Sequence, residues 1–198
     1  MIKEIVKGSF QGARQASIDN GYIESNQPNN AKKSSVFVSM LGDAIMQKNP
    51  ELEVRYQKVD KTGKKSKGEW LFDVCAGRTS RHVEKSEQKT VMTSLVWVIE
   101  SELNSSLKKF DEDFSKLLIA KSENLLLVCG DMTKTDSGSQ EFIKTRIKST
   151  TEFLNSVALD RENLFLAFIP YTKYWELRKG YQCSVFNYKV TEKIFVEL

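Results

Sequence analysis

Three carboxylates stand where carboxylates can do chemistry. Asp73 interrupts an apolar stretch, GEWLFDVCAG, and Glu100 and Glu102 close another, LVWVIESE. In an extended chain, residues two apart share a face, so Glu100 and Glu102 point the same way, and Asp73 sides with Glu69 and Leu71. If the two strands are neighbours, the three acids converge. One Asp and one or two Glu suit a hard divalent cation such as Mg²⁺, or Mn²⁺, which takes oxygen ligands and keeps several waters. A cation held that way lowers the pKa of a bound water and neutralises charge at a phosphate under attack. Taken singly, each acid is as well explained by solvation or an ion pair. Taken together they repel, and the cluster calls for a cation.

The remaining residue types narrow the chemistry. His82 is the only histidine, which excludes multi-histidine metal sites and argues against Ser-His-Asp or Cys-His catalysis. No P-loop and no GxGxxG supports a nucleotide cofactor. The 30 basic and 26 acidic side chains leave a net charge of only +4, but the basic ones cluster locally. Lys58, Lys61, Lys64, Lys65 and Lys67 fall together, followed by Arg78, Arg81, Lys85 and Lys89. Such clusters contact phosphates or form solvated loops; Lys61, Lys64, Lys65, Lys67, Arg78 and Arg81 are the candidate nucleic-acid contacts. Tyr171, Tyr174, Trp175 and Tyr181 interleave with Lys173, Arg178 and Lys179, a mixture that serves base stacking or an ordinary hairpin or dimer contact. Trp70 and Trp97, by contrast, read as core. Cys75, Cys129 and Cys183 are widely spaced and lie in apolar runs. Their odd count and the lack of a signal peptide predict reduced, buried thiols in a cytoplasmic protein. No apolar stretch approaches the ~20 residues needed to span a bilayer.

The elements that must position the acids follow from periodicity. Residues 1–33 read as polar loop, with an early short helix or strand around Ile2–Phe10. Ser34 or Ser35 caps a helix to about Lys48, stopped by Pro50. Glu51–Val59 and Gly68–Gly77 pair as a hairpin across a Gly- and Lys-rich turn, and residues 78–90 are charged and irregular. Val91–Leu103 is a long strand turning acidic at its end. Asn104 or Ser105 caps a helix to about Ser122 with Leu107, Phe110, Phe114, Leu117 and Leu118 as its stripe. Leu125–Cys129 is a central buried strand, parallel to its predecessor because a helix intervenes. A further amphipathic helix covers SGSQEFIKTRIKSTTEFLNSVA. Leu164–Pro170 is the next buried strand, and Tyr181–Val190 and Ile194–Leu198 are late strands or edges. The fold class is α/β, a mixed central sheet flanked by helices, in one domain over 1–198.

An acid in the second strand of a meander, E-x-E at the end of the third, then a helix and a buried strand resembles the PD-(D/E)xK, or restriction-endonuclease-like, nuclease superfamily. The stretch WVIESELNSSLKKFDEDFSKLLIAKSENLLLVCG carries most of the likeness. The superfamily's motif Lys is replaced here by Glu102, as in its E-x-E restriction endonucleases. No Pro precedes Asp73, and Asp73 and Glu100 are farther apart in the chain than in many members. The resemblance implies a restriction-endonuclease-like core over about 34–130, with 131–198 extending the sheet. It makes Asp73 and Glu100 the metal ligands and Glu102 a ligand or general base. Lys116 is the candidate for a motif lysine moved onto the following helix. Asp43, Glu51 or Glu69 could supply an assisting acid. The function implied is a magnesium-dependent hydrolase, a DNA endonuclease of a restriction or defence system, acting on double-stranded DNA and commonly as a homodimer. The competing expectation is a nuclease-like domain without catalysis that binds nucleic acid or protein.

Overall fold

A computed structural model describes residues 1–22, 24, 26–59, 71–84, 87–103, 107–157, 161–178 and 180–198. The chain runs α1 (Ile2–Asp19), α2 (Gln27–Lys48), β1 (Glu53–Tyr56), β2 (Val74–Glu84), β3 (Glu87–Glu102), α3 (Leu107–Ile119), β4 (Ser122–Asp131), α4 (Asp136–Ser156), β5 (Leu164–Pro170), β6 (Ser184–Lys189) and β7 (Ile194–Glu197). The seven strands lie side by side in chain order. β1, β2 and β3 form an antiparallel meander, β3, β4 and β5 are parallel, and β6 and β7 return antiparallel. The mixed α/β sheet flanked by helices, with the intervening helices making the third, fourth and fifth strands parallel, matches the expectation from the sequence.

The two faces of the sheet bury different cores. α1 and α2 cover one face through Ile5, Val6, Phe10, Phe37, Leu41 and Ile45, packed on Val74, Trp97, Ile99, Leu126 and Ala167. α3 and α4 cover the other through Phe110, Phe114, Leu117 and Leu154, packed on Val98, Leu125, Leu127, Leu166 and Phe168. β4 and β5 are buried on both sides, which is why they read as unbroken apolar runs.

Two segments differ from the sequence reading. Residues 1–33 are two helices rather than mostly loop. Ile2, Ile5, Val6, Phe10 and Ala13 keep a helical stripe through α1. NQPNNAKK is a helix start: Asn26 accepts a hydrogen bond from the Asn29 N–H, and Pro28 sits in the first turn, where its missing N–H leaves no gap. Ser34 and Ser35 therefore lie inside α2, and the Ser35 hydroxyl donates to the Ala31 carbonyl. Residues 78–90, expected irregular, belong to the long β2–β3 hairpin, with Arg78 opposite Ser94 and Glu84 opposite Glu87. Among the described residues no third strand pairs with this hairpin beyond Gly77, where the β1 ladder ends, or ahead of Leu95, where the β4 ladder begins. Its described residues are mostly exposed, so it lacks the apolar alternation that marks a strand. α3 ends at Ile119, and Ser122 opens β4 instead of closing the helix. Its expected caps Asn104 and Ser105 lie outside the described residues.

Backbones approach closely where β3 meets the end of β4. A Cβ on Gly130 would stand 2.6 Å from the Leu103 carbonyl oxygen, with no flexible side chain to yield. Gly130→Ala is expected to cost about 1–3 kcal/mol and lower the thermal midpoint by several degrees. A Cβ on Gly8, inside α1, meets nothing within 4 Å. Gly8→Ala is expected to stabilise by about 0.5–1 kcal/mol. Urea unfolding of the two variants checks both signs.

Candidate active site

The alternation of β3 sends Trp97 and Ile99 to the α1/α2 side and Val98 to the α3/α4 side. Glu100 and Glu102 continue the Val98 face. Glu100 is level with Leu127 of β4 and Glu102 with Cys129, and both are buried, at 5% and 8% exposure. The strand rise separates them by about 7 Å. Asp73 immediately precedes the last rung of the β2–β3 ladder, Val74 opposite Ile99, and lies close enough to Glu100 for its charge to act on that carboxyl. The long interval between Asp73 and Glu100 is thus the two arms of one hairpin, whose open end carries both acids.

Asp73 is fastened at that end. Its Oδ2 accepts from the Ser101 N–H at 2.8 Å and from the Ser101 hydroxyl at 2.7 Å. Above Glu100 lies α3, which turns Phe110, Phe114 and Leu117 into the core and brings Asp113 and Lys116 to the rim. Lys116 Nζ is 2.5 Å from Asp113 Oδ1 and 3.6 Å from Glu100 Oε1. Asp113, through its hydrogen bond, holds the Lys116 proton more tightly than usual, so Lys116 acts as a fixed cation rather than a base.

Glu100 is out of balance. Its Oε1 is buried without a hydrogen-bond partner. Burial first, and the neighbouring Asp73 charge second, push its carboxyl up to about 8, against the opposing pull of Lys116. A cation beside Asp73 and Glu100 would relieve both effects. Among the described residues no three Asp, Glu, His or Cys side chains gather into a ready metal cage. Mg²⁺ does not require one, since one or two carboxylates with waters are its usual protein share. The pair Asp73 and Glu100 therefore fits such an ion, with Glu102 on the same face one step farther along.

The structure brings Asp73, Glu100 and Lys116 together and keeps Glu102 adjacent. Other expected residues go elsewhere. Asp43 lies on α2, in the layer across the sheet, and is engaged by the Tyr56 hydroxyl and by Lys58. Arg78 forms a two-pronged ion pair with Glu123. By strand rise Arg78 is about 17 Å along β2 from Asp73, and Arg81 about 27 Å, so neither reaches the acids. Lys61, Lys64, Lys65, Lys67, Lys85, Glu69 and Trp70 lie outside the described residues. In the aromatic and basic stretch after β5, Trp175 and Arg178 are buried, Tyr171, Tyr174 and Tyr181 are half-buried and Lys173 is exposed. Trp175 is fully buried and donates its Nε1–H to the Pro170 carbonyl at 2.8 Å. Arg178 is buried, donating to the Thr133 and Thr135 carbonyls and to Asp136. It staples that loop to the start of α4 and is not a base-stacking surface. The three cysteines are free and buried, as expected.

Sequence reasoning missed Asp113, Ser101 and Arg146. Asp113 was visible as an acid three positions before Lys116 on one helix face. Ser101 was passed over as a spacer between two glutamates. Arg146 of α4 lies over the rings of Phe110 and Phe142, on the acids' side of the sheet. No single-sequence signal pairs it with rings so far away in the chain.

No family model, curated protein or solved structure matches this sequence. No helix among the described residues is long and apolar enough to cross a membrane.

The Glu100 shift has a consequence for stability. The folded chain keeps a proton on Glu100 that the unfolded chain releases near pH 4.5. The Glu100 contribution to the stability of the metal-free protein therefore falls as pH rises from about 4.5 to about 8. Glu100→Gln removes this contribution. Thermal midpoints at pH 5.5 and 8.5 are expected to drop less in Glu100→Gln than in wild type, with the variant the more stable at pH 8.5. Equal slopes would contradict the burial and repulsion described here.

Proposed function

We propose that this chain is a divalent-metal-dependent nuclease that hydrolyses DNA phosphodiester bonds, with a restriction-endonuclease-like core, acting in restriction or defence. The observation that carries the reading is the buried Glu100 oxygen, without a hydrogen bond and 3.6 Å from Lys116 Nζ, held near Asp73 at the open end of the β2–β3 hairpin. The acid-bearing meander, the following helix and the parallel β4 support it, because they are the layout that the superfamily resemblance implies.

In this reading Asp73 and Glu100 hold Mg²⁺ or Mn²⁺, and the ion supplies a water of lowered pKa together with neutralisation of phosphate charge. Lys116, kept protonated by Asp113, neutralises the phosphate oxygens or orients the attacking water. Glu102 takes the water's proton or adds a ligand. Double-stranded DNA as substrate, a two-fold partner for cutting both strands, and residence in the cytoplasm belong to the same proposal; the three unpaired, buried thiols suit a reducing compartment.

A second reading has its own support. Lys116 already rests against Glu100 and Asp113, which partly satisfies the acids without an ion. The fold would then be a non-catalytic module binding nucleic acid or protein.

Purified protein incubated with plasmid, single-stranded DNA and RNA, with Mg²⁺ or Mn²⁺ and with EDTA, separates the two. Metal-dependent DNA cleavage is expected, reduced by roughly 100-fold or more in Asp73→Ala and in Glu100→Gln, because loss of a ligand exceeds the 10–100-fold cost of losing its supports. Salt-sensitive binding without cleavage would favour the second reading. Cleavage that survives Glu100→Gln would overturn the site assignment.

A further inference from the structure

We infer that Ser101, the residue between the two glutamates, is the positioning residue for Asp73 and sets the affinity of the site for its divalent cation. This rests on the proposed nuclease reading and adds to it a residue outside the metal-binding set.

Asp73 stands one residue before β2 enters the ladder at Val74 opposite Ile99, and its neighbour across the gap is Glu100. Ser101 fixes one Asp73 oxygen with two donors, its N–H at 2.8 Å and its hydroxyl at 2.7 Å. Both are bonds to an ionised acceptor, which are shorter and stronger than neutral ones. The backbone N–H points towards the β2 side of β3, where the ladder has run out beyond Val74. The Asp73 carboxylate fills that place, so the end of the sheet and the orientation of the acid are satisfied by one contact. The hydroxyl is the part a substitution can remove. Hydrogen bonds that orient a metal-binding side chain typically hold 10–100-fold of metal affinity.

Mn²⁺ binding to the full chain, followed by electron paramagnetic resonance of the free ion, reads this without reference to turnover. Ser101→Ala is expected to raise the half-saturating Mn²⁺ concentration by about 10-fold. It should leave the cleavage rate at saturating Mn²⁺ within about 3-fold of wild type, since the reacting groups remain. Ser101→Thr, which keeps a hydroxyl, should restore the wild-type binding curve, and Ser101→Val, of the same shape without it, should not. The Thr and Val pair decides the question even if Ser101→Ala does not fold. A Ser101→Ala curve superimposed on wild type, or Thr and Val variants that bind alike, overturns the role of Ser101 alone. Wild type that binds no Mn²⁺ overturns the nuclease reading and this role with it.

Discussion

A carboxylate surrounded by carbon costs several kcal/mol unless donors or an opposite charge reach it, and a second carboxylate alongside adds to the cost. Glu100 is in that position at the end of β3, with Asp73 close beside it. The local structure is arranged around this strain. β2 begins one residue after Asp73, whose carboxylate is tied to β3 through Ser101. α3 descends at an angle that gives its aromatic stripe to the core and its Asp113–Lys116 pair to the rim. Parallel β4 walls off the far side with Leu127 level with Glu100 and Cys129 level with Glu102. Burial against that wall pushes the Glu100 carboxyl up, and Lys116 pulls it back.

The rest of the sheet supplies stiffness rather than chemistry. β4 and β5 are buried on both faces, and helices clamp the sheet from either side. In the loop after β5, Trp175 and Arg178 point inward and lock the chain to Pro170 and the head of α4. Asp131, fully buried at the end of β4, is likewise consumed by Thr133 and Ser139. Glu100 Oε1, by contrast, is one of several buried oxygens without a hydrogen bond, and the cation nearest it is Lys116 at 3.6 Å.

Much of this was legible in the chain wherever one face meets a core. Leu164–Pro170 is a buried strand from end to end, α3 and α4 show their stripes, and the helix between β3 and β4 made the parallel pairing foreseeable. Asp73, Glu100 and Lys116 were legible by type and by their place near element ends. What was hidden has physical reasons. The start of α2 depends on Asn26 as a cap, and a run of Asn, Gln and Pro has the composition of a loop until that bond is seen. The described residues of the outer β2–β3 ribbon are mostly exposed, so their pattern does not mark pairing. Ser101 and Asp113 act through single hydrogen bonds whose partners are fixed only once strand register and helix rotation are set.

That outer ribbon divides the hairpin into two mechanical regimes. Past Gly77, among the described residues, each strand pairs only with the other. At the boundary a bulge brings Gly77 so close to the Ser94 carbonyl that a side chain there would stand 2.2 Å from it. Thermal unzipping that begins at the tip therefore meets its first real resistance at Gly77, where β1 on one flank and β4 on the other take hold. The outer rungs can breathe, exchange their amide hydrogens or be clipped by a protease while the Asp73–Ser101 clasp, four residues farther in, keeps its register.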